Sequence, residues 1–142
     1  MGRNKFVYGV FIRTSPRKVW DALTKSEFTR QYFQGANVES DWNAGSEMRV
    51  FMDDGVTIMK AEIIESEPGK KLAMKCRLIM PDGNESGESI QTFDIEDHGE
   101  VVKLTITHDD PSGSYGDAMN GWEKGLSSLK SLLETGEALP NS

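Results

Sequence analysis

The sequence has a single cysteine, and this scarcity limits both the chemistry and the location of the chain. Cys76 has no second cysteine among the 142 residues with which to form a disulfide, a usage typical of the reducing cytoplasm. Met74 and Leu78 alternate with Cys76, which favours a buried structural thiol over a reactive one. Because no apolar stretch is long enough for a secretory signal or a membrane span, the sequence predicts a cytoplasmic protein with no membrane span.

Basic residues are also scarce. Lys and Arg number 16 against 23 Asp and Glu, which gives a net charge of −7 and a pI near 4.8. Nucleic-acid binding depends largely on clustered basic side chains that displace counterions from phosphate. We therefore expect no nucleic-acid partner.

The sequence lacks the usual motifs for catalysis, metals and cofactors. It contains no His-Glu-x-x-His, no Cys-x-x-Cys and no glycine-rich phosphate loop, so no catalytic residue, metal site or cofactor is predicted. Of its two histidines, His98 falls in a predicted hairpin and is interpreted as a solvated turn residue. His108 precedes Asp109 and Asp110 at the end of a strand, where local loop and capping contacts are favoured over an acid/base or metal cluster.

The first part of the chain is predicted to form one strand and two short helices. Residues 6–12 are rich in β-branched and aromatic side chains, which favours a strand. Ser15-Pro16 is typical of a helix start, and an apolar helical face follows. Ser26 is predicted to cap a second short helix over residues 27–32.

From there to Asp109 the apolar residues alternate with polar ones, as they do in β-strands. Turn residues such as Asp53-Asp54-Gly55 and Pro68-Gly69 separate the alternating segments and indicate antiparallel hairpins. The predicted strands cover residues 47–52, 56–65, 72–78, 90–95 and 101–107.

A long helix, Tyr115–Thr135, is predicted to close the chain. Ser114 suits its N-cap and Gly136 its C-cap. Its apolar residues form one stripe that must be buried: Tyr115, Ala118, Met119, Trp122, Leu126, Leu129 and Leu133. A sheet of six to seven strands can share one core with this helix only if the sheet curls around the helix. We therefore predict an α+β fold in one domain, residues 1–142, with the sheet curled around the last helix.

Three stretches carry a family likeness that covers nearly the whole chain. They are residues 14–24 (Thr-Ser-Pro-Arg-Lys-Val-Trp-Asp-Ala-Leu-Thr), residues 62–72 (Glu-Ile-Ile-Glu-Ser-Glu-Pro-Gly-Lys-Lys-Leu), and residues 121–126 (Gly-Trp-Glu-Lys-Gly-Leu) together with 129–130 (Leu-Lys) and 133–136 (Leu-Glu-Thr-Gly). In this order they resemble the activator-of-Hsp90-ATPase-like branch of the START-related helix-grip superfamily. The resemblance implies a pocket between sheet and last helix, and an Hsp90 co-chaperone role in the stress response. Eukaryotic members have a second, larger N-terminal domain, so stimulation of the ATPase is implied less strongly than binding.

A cavity between the curved sheet and the last helix is the predicted site, because such a helix leaves a gap in the concavity. Methionines are frequent in this interior; core filling explains them, and a pocket that adapts to a ligand is the alternative. Gln91 or Arg49 could orient a polar group. The predicted lining residues are Trp20, Phe28, Tyr32, Met48, Val50, Met74, Cys76, Gln91, Phe93, Met119, Trp122 and Leu126.

Three functions are compatible with these features. The favoured hypothesis is non-enzymatic binding of a small hydrophobic or amphipathic molecule. The second is interaction with an Hsp90-type chaperone, which rests on the resemblance. The third is an enzyme resembling the polyketide cyclases or a hydrolase, with His108 or a pocket acid as its reactive group.

Overall fold

The computed structural model describes residues 4–110 and 121–140, without the side chains of Asn4 and Trp122. Its three helices are α1 (Pro16–Thr24), α2 (Ser26–Tyr32) and α3 (Gly121–Thr135). Its seven strands are β1 (Asn4–Ile12), β2 (Asn37–Ser40), β3 (Glu47–Phe51), β4 (Thr57–Glu67), β5 (Lys71–Leu78), β6 (Ser89–Asp97) and β7 (Val102–Asp110). No helix in this part of the chain is long and apolar enough to cross a membrane.

The strands form one antiparallel sheet in the order β1-β7-β6-β5-β4-β3-β2. Consecutive hairpins build it from β2 to β7, and β1 returns to pair with β7. The predicted helix-grip architecture with six to seven strands is therefore confirmed. The strand that the alternation did not reveal is β2, which has only one large apolar residue, Val38.

The start of α1 agrees with the sequence prediction. Ser15 Oγ accepts a hydrogen bond from Lys18 N at 3.3 Å, and Pro16 occupies the first helical position. The prediction that Ser26 caps α2 is wrong. Ser26 is the first residue of α2, and its hydroxyl donates to Val38 O and accepts from Val38 N, each at 3.0 Å. It therefore attaches α2 to β2.

Two irregularities bend the strands on the side of the sheet that ends in β2. The register shifts between Val50 and Phe51 in the β3–β4 pair, and between Ile63 and Glu65 in the β4–β5 pair. Such bulges increase the local bend and twist of a strand. The apolar face of the sheet encloses a core whose fully buried members include Ile12, Ile63, Leu72, Leu104, Ile106, Leu126 and Leu129.

Helix α3 supplies its apolar stripe to this core. Leu126, Leu129 and Leu132 are 1%, 0% and 7% exposed, whereas Leu133 of the predicted stripe is only partly buried. Gly136 ends the helix as predicted: its φ is +87° and its N–H donates to Leu132 O at 2.9 Å. The remaining part of the predicted helix, residues 115–120 with its cap at Ser114, lies outside the described residues.

The last turns of α3 are also fixed to the edge strand β1. Lys130 Nζ donates to Phe11 O and to a Glu134 carboxylate oxygen, both at 2.7 Å. The same carboxylate oxygen accepts from Arg13 N at 2.8 Å. These contacts satisfy backbone groups of an edge strand that would otherwise be open to pairing with another chain.

We expect the burial of α3 to dominate the stability of the fold. Leu129→Ala removes a fully buried side chain and is expected to lower the free energy of unfolding by about 2–5 kcal/mol. Leu139→Ala, at a position that is 36% exposed, makes the same chemical change and should cost less than about 1 kcal/mol. Urea unfolding of the two variants measures both values. Equal losses of unfolding free energy would show that the burial of α3 is not the main source of stability.

Candidate functional site

An interior pocket lies between the sheet, α2 and α3. Its volume is about 70 Å³, and its lining is almost entirely apolar. The sheet contributes residues from five adjacent strands, β2 to β6, so the pocket is a gap left in the concave face. The described lining residues are Leu23, Thr29, Tyr32, Phe33, Val38, Trp42, Met48, Val50, Met59, Leu72, Met74, Gln91, Phe93, Leu126 and Leu129.

Seven of the twelve residues predicted to line a cavity meet at this pocket: Tyr32, Met48, Val50, Met74, Gln91, Phe93 and Leu126. Trp20 instead lines a separate cleft on the outer surface. Phe28 packs against the core without lining the pocket, and Cys76 is buried beside it. Met119 and the side chain of Trp122 lie outside the described residues.

Sequence reasoning missed several lining residues, of which Trp42, Phe33 and Met59 are the largest. Met59 falls in the predicted strand over residues 56–65, where the alternation could have indicated its inward direction. Trp42 follows β2 in a left-handed conformation, with φ +61°, which no sequence pattern predicts. Its position depends on a tertiary contact, because Ser66 Oγ donates to Trp42 O at 2.6 Å.

The expectation that Arg49 orients a ligand is wrong. Arg49 alternates with the inward residues Met48 and Val50 and therefore lies on the opposite face of the sheet. Its guanidinium contacts Glu39 Oε1 at 3.1 Å and lies 4.0 Å from the centre of the Phe51 ring. Its alternation with Met48 and Val50 in the sequence could have indicated the outer face.

Gln91 is a polar lining residue whose amide has one weak hydrogen bond to the described residues. It is 4% exposed, and the single contact of its amide with the described residues joins Nε2 to Met59 Sδ at 4.0 Å, at the limit for a weak sulfur acceptor. The hydroxyl groups of the lining, on Thr29 and Tyr32, have stronger hydrogen bonds. Thr29 Oγ1 donates to Ala36 O and the Tyr32 hydroxyl donates to Ala22 O, both at 2.8 Å.

The buried thiol of Cys76 is expected to be unreactive. Cys76 is fully buried, and burial raises the pKa of its thiol, as it raises the pKa of the Tyr32 hydroxyl. The Cys76 thiol lies 3.8 Å from Met74 O as a weak donor. A protonated, inaccessible thiol is a poor nucleophile, which agrees with the structural role predicted for Cys76.

His108 lies within β7, which continues for two residues beyond the strand end predicted at His108. It is 1% exposed within β7, and its Nε2 lies 2.9 Å from Ser89 Oγ on β6. Burial lowers the pKa of His108, an effect that the charges of Asp110 and Asp109 partly oppose. Within residues 4–110 and 121–140, no group of three His, Cys, Asp or Glu side chains is placed to hold a metal ion.

Comparison with known families and structures identifies the family. The model of the family described as activator of Hsp90 ATPase homolog 1-like protein matches residues 13–134. The chain belongs to this family. The match contains every residue that lines the interior pocket.

Several solved structures are similar to this chain along nearly their whole length. The Aha1 dimer from Colwellia psychrerythraea is 20% identical, with 95% of this chain and 99% of that chain covered and a TM-score of 0.74. PFC0360w, an HSP90 activator from Plasmodium falciparum, is 20% identical over 93% and 96% of the two chains, with a TM-score of 0.73. Protein MLL2253 from Mesorhizobium loti is 22% identical over 92% and 96%, also with a TM-score of 0.73. No curated protein matches. At this identity the similarity establishes the fold.

We expect His108 to give this activator-of-Hsp90-ATPase-like chain a pH-dependent stability. Because its folded-state pKa lies below the ordinary value of 6.5, the unfolded chain binds more protons in mild acid. The contribution of neutral His108 to stability is therefore fully present above about pH 7.5, and it declines as the pH falls through about 6.5 toward the folded-state pKa.

Urea unfolding between about pH 5.5 and about pH 8 avoids most carboxylate titration and measures this decline. His108→Gln is expected to flatten the profile. His98→Gln, at an exposed histidine, is the matched control and should leave the profile unchanged. A decline that survives in His108→Gln would assign it to another group.

Proposed function

We propose that the interior pocket binds a small, mainly apolar molecule that carries one hydrogen-bonding group. The observation that supports this function is the Gln91 amide, which is buried in an apolar lining with a weak contact to Met59 Sδ. A buried polar group without a good partner costs about 1–3 kcal/mol. A ligand that supplies a donor or acceptor to this amide would recover that free energy.

The shape of the lining suggests both an entrance and a way to enlarge the pocket. Phe33, Val38 and Trp42 are only partly buried, so they mark the side between α2 and β2 that faces solvent. The present volume of about 70 Å³ is below the roughly 300 Å³ at which pockets for drug-sized ligands begin. Three unbranched methionines, Met48, Met59 and Met74, line the pocket and can change rotamer to admit a larger molecule.

Gln91→Met tests this proposal by replacing the amide with an apolar side chain of similar size. Removal of an incompletely bonded amide is expected to raise the melting temperature of the free protein by a few degrees, equivalent to about 1 kcal/mol. Phenol and toluene have nearly the same shape and differ in one hydroxyl. We expect the unmodified chain to prefer phenol and Gln91→Met to prefer toluene, as measured by thermal shift and calorimetry.

A control for this experiment is Thr92→Val, which changes a neighbouring polar residue on the other face of β6. It should leave the preference for phenol intact. If neither compound binds, the pocket does not receive ligands of this size. If both bind equally before and after the Gln91 change, the amide does not orient the ligand.

Binding to an Hsp90-type chaperone is the second candidate function. Its support is the family match over residues 13–134 and the similarity to structures described as Aha1 and as an HSP90 activator. We expect the chain to retain a purified Hsp90-type chaperone in a pull-down at physiological salt. Immobilised serum albumin, which is acidic like this chain, replaces the chain as the control bait. Equal recovery of the chaperone on the chain and on albumin would remove this candidate.

A further inference from the structure

A second cleft lies on the outer surface, at the end of the sheet where α1 begins. It has a volume of about 850 Å³ between α1, the Pro68–Lys70 turn that joins β4 to β5, and the end of β6. It shares no lining residue with the interior pocket. An inference about this cleft is therefore independent of ligand binding in the interior.

Four of the residues that line the cleft are apolar. Trp20 lies on the flank of α1, since its neighbours Val19, Ala22 and Leu23 are buried in the core while Trp20 itself stays partly exposed. Pro16, Pro68 and Ile95 complete the apolar lining. An aromatic ring and two prolines in one lining offer a rigid contact surface that costs little side-chain entropy when a partner binds.

Both walls of the cleft are held in place before any partner arrives. Ser15 caps α1 on one side. On the other side, Lys70 N donates to Glu67 O and Ile95 N donates to Lys70 O, both at 2.8 Å, which fixes the turn against β6. Gly69 at the tip of the turn has φ +79°, a conformation that other residues rarely adopt. The cleft is preformed.

The charged lining residues, called the rim below, carry one more positive than negative charge, on a chain whose net charge is −7. Its cations are Arg17, Lys25 and Lys70, and its anions are Asp21 and Asp97. Lys25 and Asp21 pair with each other at 3.6 Å, and Asp97 Oδ1 accepts a hydrogen bond from Gly99 N at 3.0 Å. Arg17 and Lys70 are exposed and form no ion pair with the described residues.

We infer that this cleft is a docking site for an acidic segment of a partner protein. An apolar side chain of that segment packs on Trp20, and flanking carboxylates approach Arg17 and Lys70. The negative charge on the rest of the chain disfavours an acidic segment elsewhere on the surface, so the position of the positive rim supplies the specificity.

The test uses a fluorescein-labelled peptide, Asp-Asp-Glu-Phe-Glu-Asp-Asp, and fluorescence anisotropy with the full chain. The double variant Arg17→Glu and Lys70→Glu replaces attraction by repulsion at exposed positions and is expected to weaken binding by roughly tenfold or more. The matched control, Lys5→Glu and Lys60→Glu, makes the same change of charge at exposed positions outside the cleft. Its affinity should fall much less.

Two further peptides distinguish the contribution of the central Phe side chain from that of the acidic residues. Replacement of the central Phe by Ala should weaken binding if an apolar side chain packs on Trp20, and replacement of the acids by Lys should abolish it. Undetectable binding of the first peptide, or equal losses in the cleft and control variants, would overturn the inference. Competition by inorganic phosphate or by vesicles of phosphatidylserine as effective as that of unlabelled peptide would also overturn it, because the rim would then recognise anions in general.

Discussion

The burial of the apolar stripe of α3 is the constraint on which the rest of the structure depends. Leu126, Leu129 and Leu132 need an apolar environment on one side of the helix, and a flat sheet would cover only a narrow part of it. The sheet therefore bends, with bulges in the β3–β4 and β4–β5 pairs. The bent strands leave the interior pocket beside the helix, and the two short helices that cover the open side place the outer cleft at one end.

Polar residues on the concave face are not distributed evenly along the strands. Near the Ser89 end of β6, the register pairs Gln91 with His108 and Cys76 with Ser89, and all four are buried. Toward the other end of the same strands, the buried residues are Phe93, Ile95, Val102 and Leu104. Stability is supplied mainly by the apolar end. The polar end costs desolvation, and this asymmetry is a physical reason to look for a ligand there.

Local patterns in the sequence were sufficient for most of the architecture. Periods of 3.6 and 2 identified the helices and all the long strands because burial of one face imposes them. They failed for β2, whose four residues contain one large apolar side chain. They also missed the end of β7, because Asp109-Asp110-Pro111 is typical of a loop, whereas β7 continues to Asp110 by pairing with Asn4. In both cases the strand is defined by its partner.

The candidate site was less predictable than the fold, since a pocket lining depends on which elements meet. Residues on the strands followed the alternation, and Met48, Val50, Met74 and Gln91 reached the pocket together. Trp20 did not reach the pocket, because the packing of α1 on β6 decides which side of the helix faces the interior.

The two cavities also differ in kind. The interior one is lined by flexible methionines and can adapt its volume, whereas the outer one is fixed by backbone hydrogen bonds on the turn beside β6. An adaptable apolar interior suits small ligands of varied shape, and a rigid charged rim suits one partner in one orientation, so the two cavities can act without competing for the same residues.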